Sequence, residues 1–333
     1  MTPSTALSTF HLRTHQFTAL EPGPKLIVLG AVHGNEVGGT RGIERVLAQL
    51  DAGALQITRG QVTLLPITNP LAYTKKQRMG DRNLNRNLYP NTAPQDYEDR
   101  IANVLCPLLS AHDVLLDLHS FHTPGQPFAM LGPQDNSDDL EPFAHAAKEE
   151  ALALRLGPQR IVEGWLSTYA DGVKKRLART APTERAHLLS TDARYGVGTT
   201  EYMRTQGGWG ITLECGQHDD PAAPEVAYQA IVRTLAHLGL TDASVSDPSP
   251  APRDDIKLLK LIQVTDRLHA NDQFAKAWAS YDPLKQGELI GTRADGTPIV
   301  APQDGYIVFP NPTAVAGNEW FYFAQVSSRS LRA

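Results

Sequence analysis

The run Gly30-Ala31-Val32-His33-Gly34-Asn35-Glu36 sets an imidazole and a carboxylate three residues apart, just past the apolar stretch Lys25 to Leu29. Both groups can ligate a divalent cation. A second histidine, in Asp117-Leu118-His119-Ser120, also lies just past an apolar stretch, Val114 to Leu116. Two imidazoles and one carboxylate form the open three-ligand set of zinc hydrolases, with the remaining position left to water. An isolated His-x-x-Glu is more often a hydrogen-bonded structural pair than a site. Here the glycines around it give backbone freedom and close approach, and the second histidine ends an equivalent strand.

Two further segments extend the chemistry. Residues 78 to 90 interleave Arg78, Arg82 and Arg86 with Asn83, Asn85 and Asn87. Such a loop can be a solvated turn, but its guanidinium and amide density suits capture of a carboxylate, because an arginine fork contacts both oxygens at once. In Gly210-Ile211-Thr212-Leu213-Glu214-Cys215-Gly216 an acid stands inside an apolar strand. Burying it is costly unless it is paired or poised for proton transfer.

Taken together and in order, GAVHGNE, RNLNRN, DLHS and TLECG resemble the succinylglutamate desuccinylase/aspartoacylase family of zinc hydrolases, relatives of the zinc carboxypeptidases. The similarity runs from about Leu26 to Gly216 and continues weakly beyond. It implies one zinc ion per chain on His33, Glu36 and His119, with Glu214 as the general base that takes a proton from the zinc-activated water and returns it to the leaving amine. It implies that Asn85 and Arg86 hold the substrate carboxylate. Arg78 and Arg204 match arginines that bind substrate or polarise its acyl carbonyl, and Asp117 would orient an imidazole from behind. Gly317-Asn318-Glu319-Trp320-Phe321-Tyr322 is similar to a segment whose Glu and Tyr close over the site, making Tyr322 a substrate contact. Two positions depart from the pattern. Asn83 stands where aspartoacylases carry Asp, and Thr200 where they carry a substrate-binding Tyr, which leaves the acyl group open.

Around these motifs the chain reads as α/β followed by β. Strands are expected near residues 12–20, 25–29, 61–67, 113–118, 199–204 and 210–215, and helices near 38–51, 94–111, 138–154 and 222–239. That alternation predicts a mostly parallel mixed sheet flanked by helices; the resemblance implies that this sheet is zinc-carboxypeptidase-like and that a smaller all-β domain follows it. The expected division is a catalytic domain over 1–243, a Pro/Ser-rich linker over 244–255 and a small barrel-sandwich-like β domain over 256–333. The PxDGYIVFP run resembles lipoyl and biotinyl carrier hairpins, but Asp304-Gly305 brings no lysine to the turn, so a buttress of the site is expected instead.

Composition narrows the function classes. With 31 basic and 36 acidic residues and a formal net charge of −5, there is no basic excess for nucleic acid. No apolar run approaches the roughly 18 residues of a membrane span. The first residues lack the basic start and apolar core of a secretory signal, so a cytoplasmic protein is expected. Cys106 and Cys215 are too few for a disulfide framework. The expected partner is a small anionic N-acyl amino acid, bound by local arginines despite the global charge. A homo-oligomer stays open. Carboxypeptidase-like or ester hydrolysis is the competing chemistry, and a non-catalytic binding protein would require loss of Glu214 or a zinc ligand, which is not seen.

Overall fold

The computed structural model describes residues 11–183, 191–242 and 249–332; part of the expected linker, 244–248, lies outside them. In chain order the first elements are β1 (His15–Thr18), β2 (Glu21–Leu29), α1 (Val37–Asp51), β3 (Arg59–Leu65), α2 (Pro70–Lys75), α3 (Tyr97–Ser110), β4 (Val114–Phe121) and β5 (Phe128–Met130). There follow α4 (Ala146–Ala153), β6 (Arg160–Glu163), α5 (Trp165–Arg179), α6 (Thr199–Thr205), β7 (Trp209–Gln217) and α7 (Ala223–His237). The C-terminal part is β8 (Lys257–Asp266), β9 (Gln273–Phe274), β10 (Pro283–Leu284), β11 (Leu289–Thr292), β12 (Pro298–Val300), β13 (Gly305–Val308) and β14 (Glu319–Val326).

Eleven of these strands form one sheet in the order β1-β3-β2-β4-β7-β5-β6-β8-β14-β13-β10, and β12-β11-β9 form a small separate one. Its centre, β3-β2-β4-β7, is parallel. Strand β5 pairs antiparallel with β7, and the strands from β8 onward continue the sheet beyond the parallel pair β6-β8. The architecture is the expected mostly parallel mixed sheet between helices. Burial of every residue of β4 explains why that strand reads as a continuous run rather than an alternation.

Side-chain alternation along β2 divides the core. Leu26 and Val28 pack with Ile43 and Val46 of α1 and Ile231 of α7, whereas Ile27 and Leu29 meet Ile101 and Leu105 of α3 and Tyr202 and Met203 of α6. One expectation fails: residues 199–204 are helix α6, not a strand. Threonines gave the segment its β-like composition. Locally, the Glu201 carboxylate accepts the Gly198 N–H at 3.0 Å and closes the helix start, while Tyr202 and Met203 fill the core behind it. Element β6 and helix α5 were not anticipated.

The turn after β2 is fitted closely. Ala31 has φ of 46°, a left-handed value uncommon outside glycine, and Gly34 lies so near α2 that a Cβ there would stand 2.0 Å from the Ala72 carbonyl carbon. The arginine loop is anchored by Glu98 in the first turn of α3. Fully buried, this carboxylate accepts the backbone N–H of Gly80, Asp81 and Arg82 at 2.8, 3.1 and 3.2 Å and the Asn69 amide at 2.9 Å. Arg82 completes the anchor through Asp96 and Asp99, both at 2.9 Å. Glu98→Ala strands three backbone donors and is expected to lower unfolding stability by about 3 kcal/mol or more, with proteolytic cleavage appearing first in the 76–96 loop. Unchanged denaturation midpoint and cleavage pattern would count against this anchoring.

Candidate metal and substrate site

The C-terminal ends of β2, β4 and β7 converge on one cavity of about 630 Å3, where open α/β sheets gather ligands. His33 and Glu36 come from the turn after β2, with Glu36 at the position preceding α1, and His119 from the end of β4. Parallel register sets Glu214 of β7 directly beside His119. All four are buried.

The hydrogen bonds behind the rings decide which nitrogens face the centre. Asn83 Oδ1 lies 2.9 Å from His33 Nε2 and also accepts the Asn85 backbone N–H at 2.9 Å, which identifies that atom as the oxygen. Asp117 Oδ2, 2.9 Å from His119 Nε2, does the same for the second ring and takes the Thr199 hydroxyl as well. Both rings therefore donate from Nε2 and turn Nδ1 inward. The two Nδ1 atoms are 3.2 Å apart, and Glu36 offers Oε1 to one at 2.8 Å and Oε2 to the other at 2.9 Å. The Ser120 N–H steadies the second oxygen at 3.0 Å. Ligand atoms of the three residues all lie within 4.8 Å of one another. Lone pairs converging in a buried space need a cation or protons among them, and the donor set suits zinc.

Electrostatics agree. Burial, with Arg78 nearby, holds the His33 imidazole down to about 4, so it is neutral and available as a ligand. Burial works against charge on His119 too, but Asp117 and Glu36 outweigh it and raise its proton affinity well above the ordinary value. A cation bound there must displace that proton. Glu36 is also buried, yet the two histidines hold it well below the usual carboxylate range. Burial pushes Glu214 up to about 8, with Glu36 adding to the shift, and its Oε2 has no hydrogen-bond partner.

The remaining expected residues fall differently. Arg78 reaches Glu36 Oε1 at 3.0 Å from the cavity side, its side chain 40% exposed. Arg86 lies over the Trp165 ring at 4.5 Å and donates to the Asn85 carbonyl at 2.8 Å. Asn85 receives the Thr199 N–H on Oδ1 at 2.9 Å. Tyr322 is buried on the cavity wall with its hydroxyl unpartnered. Thr200 also lines the cavity. Arg204 is engaged elsewhere: Nε donates to Glu149 at 2.8 Å, Nη1 to Glu141 at 2.7 Å, and Nη2 to Glu149 at 3.2 Å and to the Gly210 carbonyl at 2.9 Å. Sequence reading missed Glu98, Glu141 and Glu149. Each is a helix or loop acid whose partner is remote in sequence. Both cysteines are buried and unpaired, as expected.

Residues 22–160 match the Succinylglutamate desuccinylase/Aspartoacylase catalytic domain. This matched segment carries His33, Glu36, the arginine loop and His119, and it ends before Glu214. Among solved structures, the chain resembles a succinylglutamate desuccinylase/aspartoacylase from Rhodobacter sphaeroides at 17% identity and TM-score 0.69, over 95% of this chain and 90% of that one. It also resembles the product-bound ectoine utilization protein EutE (DoeB) from Ruegeria pomeroyi, at 18% identity and TM-score 0.66 over 94% and 88%. A third likeness is to an aspartoacylase family protein from Mesorhizobium loti, at 20% identity and TM-score 0.64 over 96% and 90%. At these identities the likeness is one of fold, and it extends over the C-terminal strands. No curated protein matches the chain. Among the described residues no helix is long and apolar enough to cross a membrane.

Two outcomes follow from the ligand geometry. One equivalent of zinc should bind, and His119→Ala should weaken binding by orders of magnitude, with Asp117→Ala about ten- to a hundredfold weaker, measured by chelator competition; equal metal content in wild type and His119→Ala contradicts the assignment. The second concerns pH. Because the folded value of Glu214 lies above the ordinary 4.5, the stability of its neutral form is present below that value and is lost as pH rises through about 8. Metal-free Glu214→Gln, neutral throughout, should gain thermal stability relative to wild type between pH 5 and pH 8; a constant difference contradicts the proton assignment.

Proposed function

We propose that this protein is a zinc-dependent hydrolase that cleaves the amide bond of a small N-acyl amino acid. The observation that carries this reading is Glu214. A buried carboxyl with one unpartnered oxygen stands in register with His119, beside three converging metal-ligand atoms. His33, Glu36 and His119 would hold the zinc through Nδ1 and carboxylate atoms. When bound, the ion supplies Lewis acidity that acidifies water and polarises an acyl carbonyl.

The chain's own groups do the rest. Glu214 Oε2, free of competing hydrogen bonds, accepts a proton from the attacking water and donates it to the amine nitrogen as the C–N bond breaks. Its carboxyl is raised by burial and by Glu36, and a cation at the trio opposes that shift, bringing the acid toward neutral pH. Arg78, on the cavity side of Glu36, is placed to stabilise charge developing on the carbonyl oxygen. Arg86 and the amide Nδ2 of Asn85 are read as the clamp for the substrate carboxylate. Stacking on Trp165 presets the guanidinium without using up its donors. The segment 256–333 we read as a unit that walls the site, since Phe309 to Asn311, Thr313 to Glu319 and Tyr322 line the cavity.

Glu214→Gln should retain fold and zinc and lose about a hundredfold or more in kcat, because general acid-base help is worth that much. Near-normal turnover by this variant assigns the base elsewhere. Arg86→Lys should lower kcat/KM and reduce discrimination between a free-acid substrate and its methyl ester, since an ammonium cannot reproduce the two-pronged contact. Equal wild-type rates on acid and ester remove the clamp.

A further inference from the structure

The cavity is lined by five arginines, a number that suggests a receptor for dianions, but their partners say otherwise. Arg82 is tied to Asp96 and Asp99, and its Nη1 donates to the Asn83 and Arg86 carbonyls at 3.2 and 2.7 Å. Arg176 grips Asp266 through two bonds of 2.8 Å, with Glu319 at 3.7 Å. Arg78 is paired with the ligand carboxylate Glu36 beside the reacting centre. Arg204 has its Nε, Nη1 and Nη2 all committed to Glu149, Glu141 and the Gly210 carbonyl. Among the described residues on this wall, Arg86 is the one arginine without a carboxylate partner.

Around Arg204 the balance is reversed. Three carboxylates, Glu141, Glu149 and Glu201, surround a single guanidinium, with Glu201 at 3.7 Å from Nη1. Glu149 is fully buried and also accepts the Gly132 and Gly210 N–H groups, both at 2.9 Å, so it cannot swing away to free the arginine. Glu201 and Arg204 both border the cavity. An anion brought to that wall meets net negative charge in a poorly hydrated place, where repulsion is little screened. A neutral amide or an ammonium meets acceptors.

We infer that the substrate carries one carboxylate, held at Arg86, and that the rest of the molecule is neutral or basic. This rests on the hydrolase reading and narrows it: N-acyl derivatives of aspartate and glutamate are poor ligands, although the arginine count and the resemblance to the family would suggest them. The position equivalent to a second anion contact is neutralised from within the protein.

The test uses N-acetylglutamine and N-acetylglutamate, which are nearly isosteric and differ by one charge, with N-acetylornithine as the basic member. Dissociation constants are measured by calorimetry on the zinc-loaded Glu214→Gln protein, and kcat/KM on wild type. The glutamine and ornithine derivatives should bind at least about tenfold more tightly than the glutamate derivative and be cleaved faster by a similar factor. Glu201→Gln, whose amide oxygen can still accept the Gly198 N–H, should narrow the gap between glutamine and glutamate derivatives. Because binding is read without turnover, tight, charge-selective binding with no cleavage sinks the hydrolase reading and leaves this inference standing. Equal or tighter binding of the glutamate derivative overturns it, as does failure of all three to bind at millimolar concentration.

Discussion

Three lone-pair donors face one another in a buried corner of the cavity, and this is the constraint on which the rest of the structure depends. His33 Nδ1, His119 Nδ1 and the Glu36 carboxylate would repel one another if they stood alone. They are kept in place because each ring is hydrogen-bonded from behind, by Asn83 and by Asp117, so neither can flip to relieve the contact without breaking a buried bond. A cation at the centre satisfies all three at once. Burial raises Glu214 and the Glu36 carboxylate adds to the shift, so one member of the trio also acts on the proposed proton-transfer group.

Longer-range features serve that arrangement. The parallel register of β2, β4 and β7 delivers three strand ends to one edge, and Gly34 lets the ligand turn lie against α2. Glu98 takes three consecutive loop amides and so fixes the loop whose Asn83 supports His33 and whose Arg86 faces the cavity. An acid in the first turn of a helix thus reaches the metal trio through one loop. Asn83 occupies the position where the resemblance calls for Asp, and here an amide oxygen does the supporting work. It removes one negative charge from beside His33, so among the described residues Asp117 is the one carboxylate hydrogen-bonded behind a ring of the trio.

Much of this was legible in the sequence because it is local. Apolar runs at Lys25 to Leu29 and Val114 to Leu116 end where chemistry-bearing residues begin, so His33, Glu36 and His119 could be placed at strand termini before any coordinates, and the helices near 38–51 and 222–239 follow from their periodicity. Other features depend on partners far away in the chain. Arg204 is 55 residues from Glu149, and nothing near either residue signals that they pair. Helix α6 carries β-branched residues at its start and is decided by burial of Tyr202 and Met203 against α3, a tertiary effect that overrides local preference. Likewise, the sheet's continuation from β6 into β8 joins strands almost a hundred residues apart, with no local marker of the pairing.

The central claim is that acceptors behind both rings dictate which nitrogen meets the cation. Long-range 1H–15N correlation on histidine-labelled protein, with zinc titrated to one equivalent, reads this directly. Both His33 and His119 should show a proton on Nε2 and an unprotonated Nδ1 whose 15N shift moves on zinc addition. A proton on Nδ1 of either ring in the zinc-loaded protein, or rings whose shifts ignore the metal, would contradict the account.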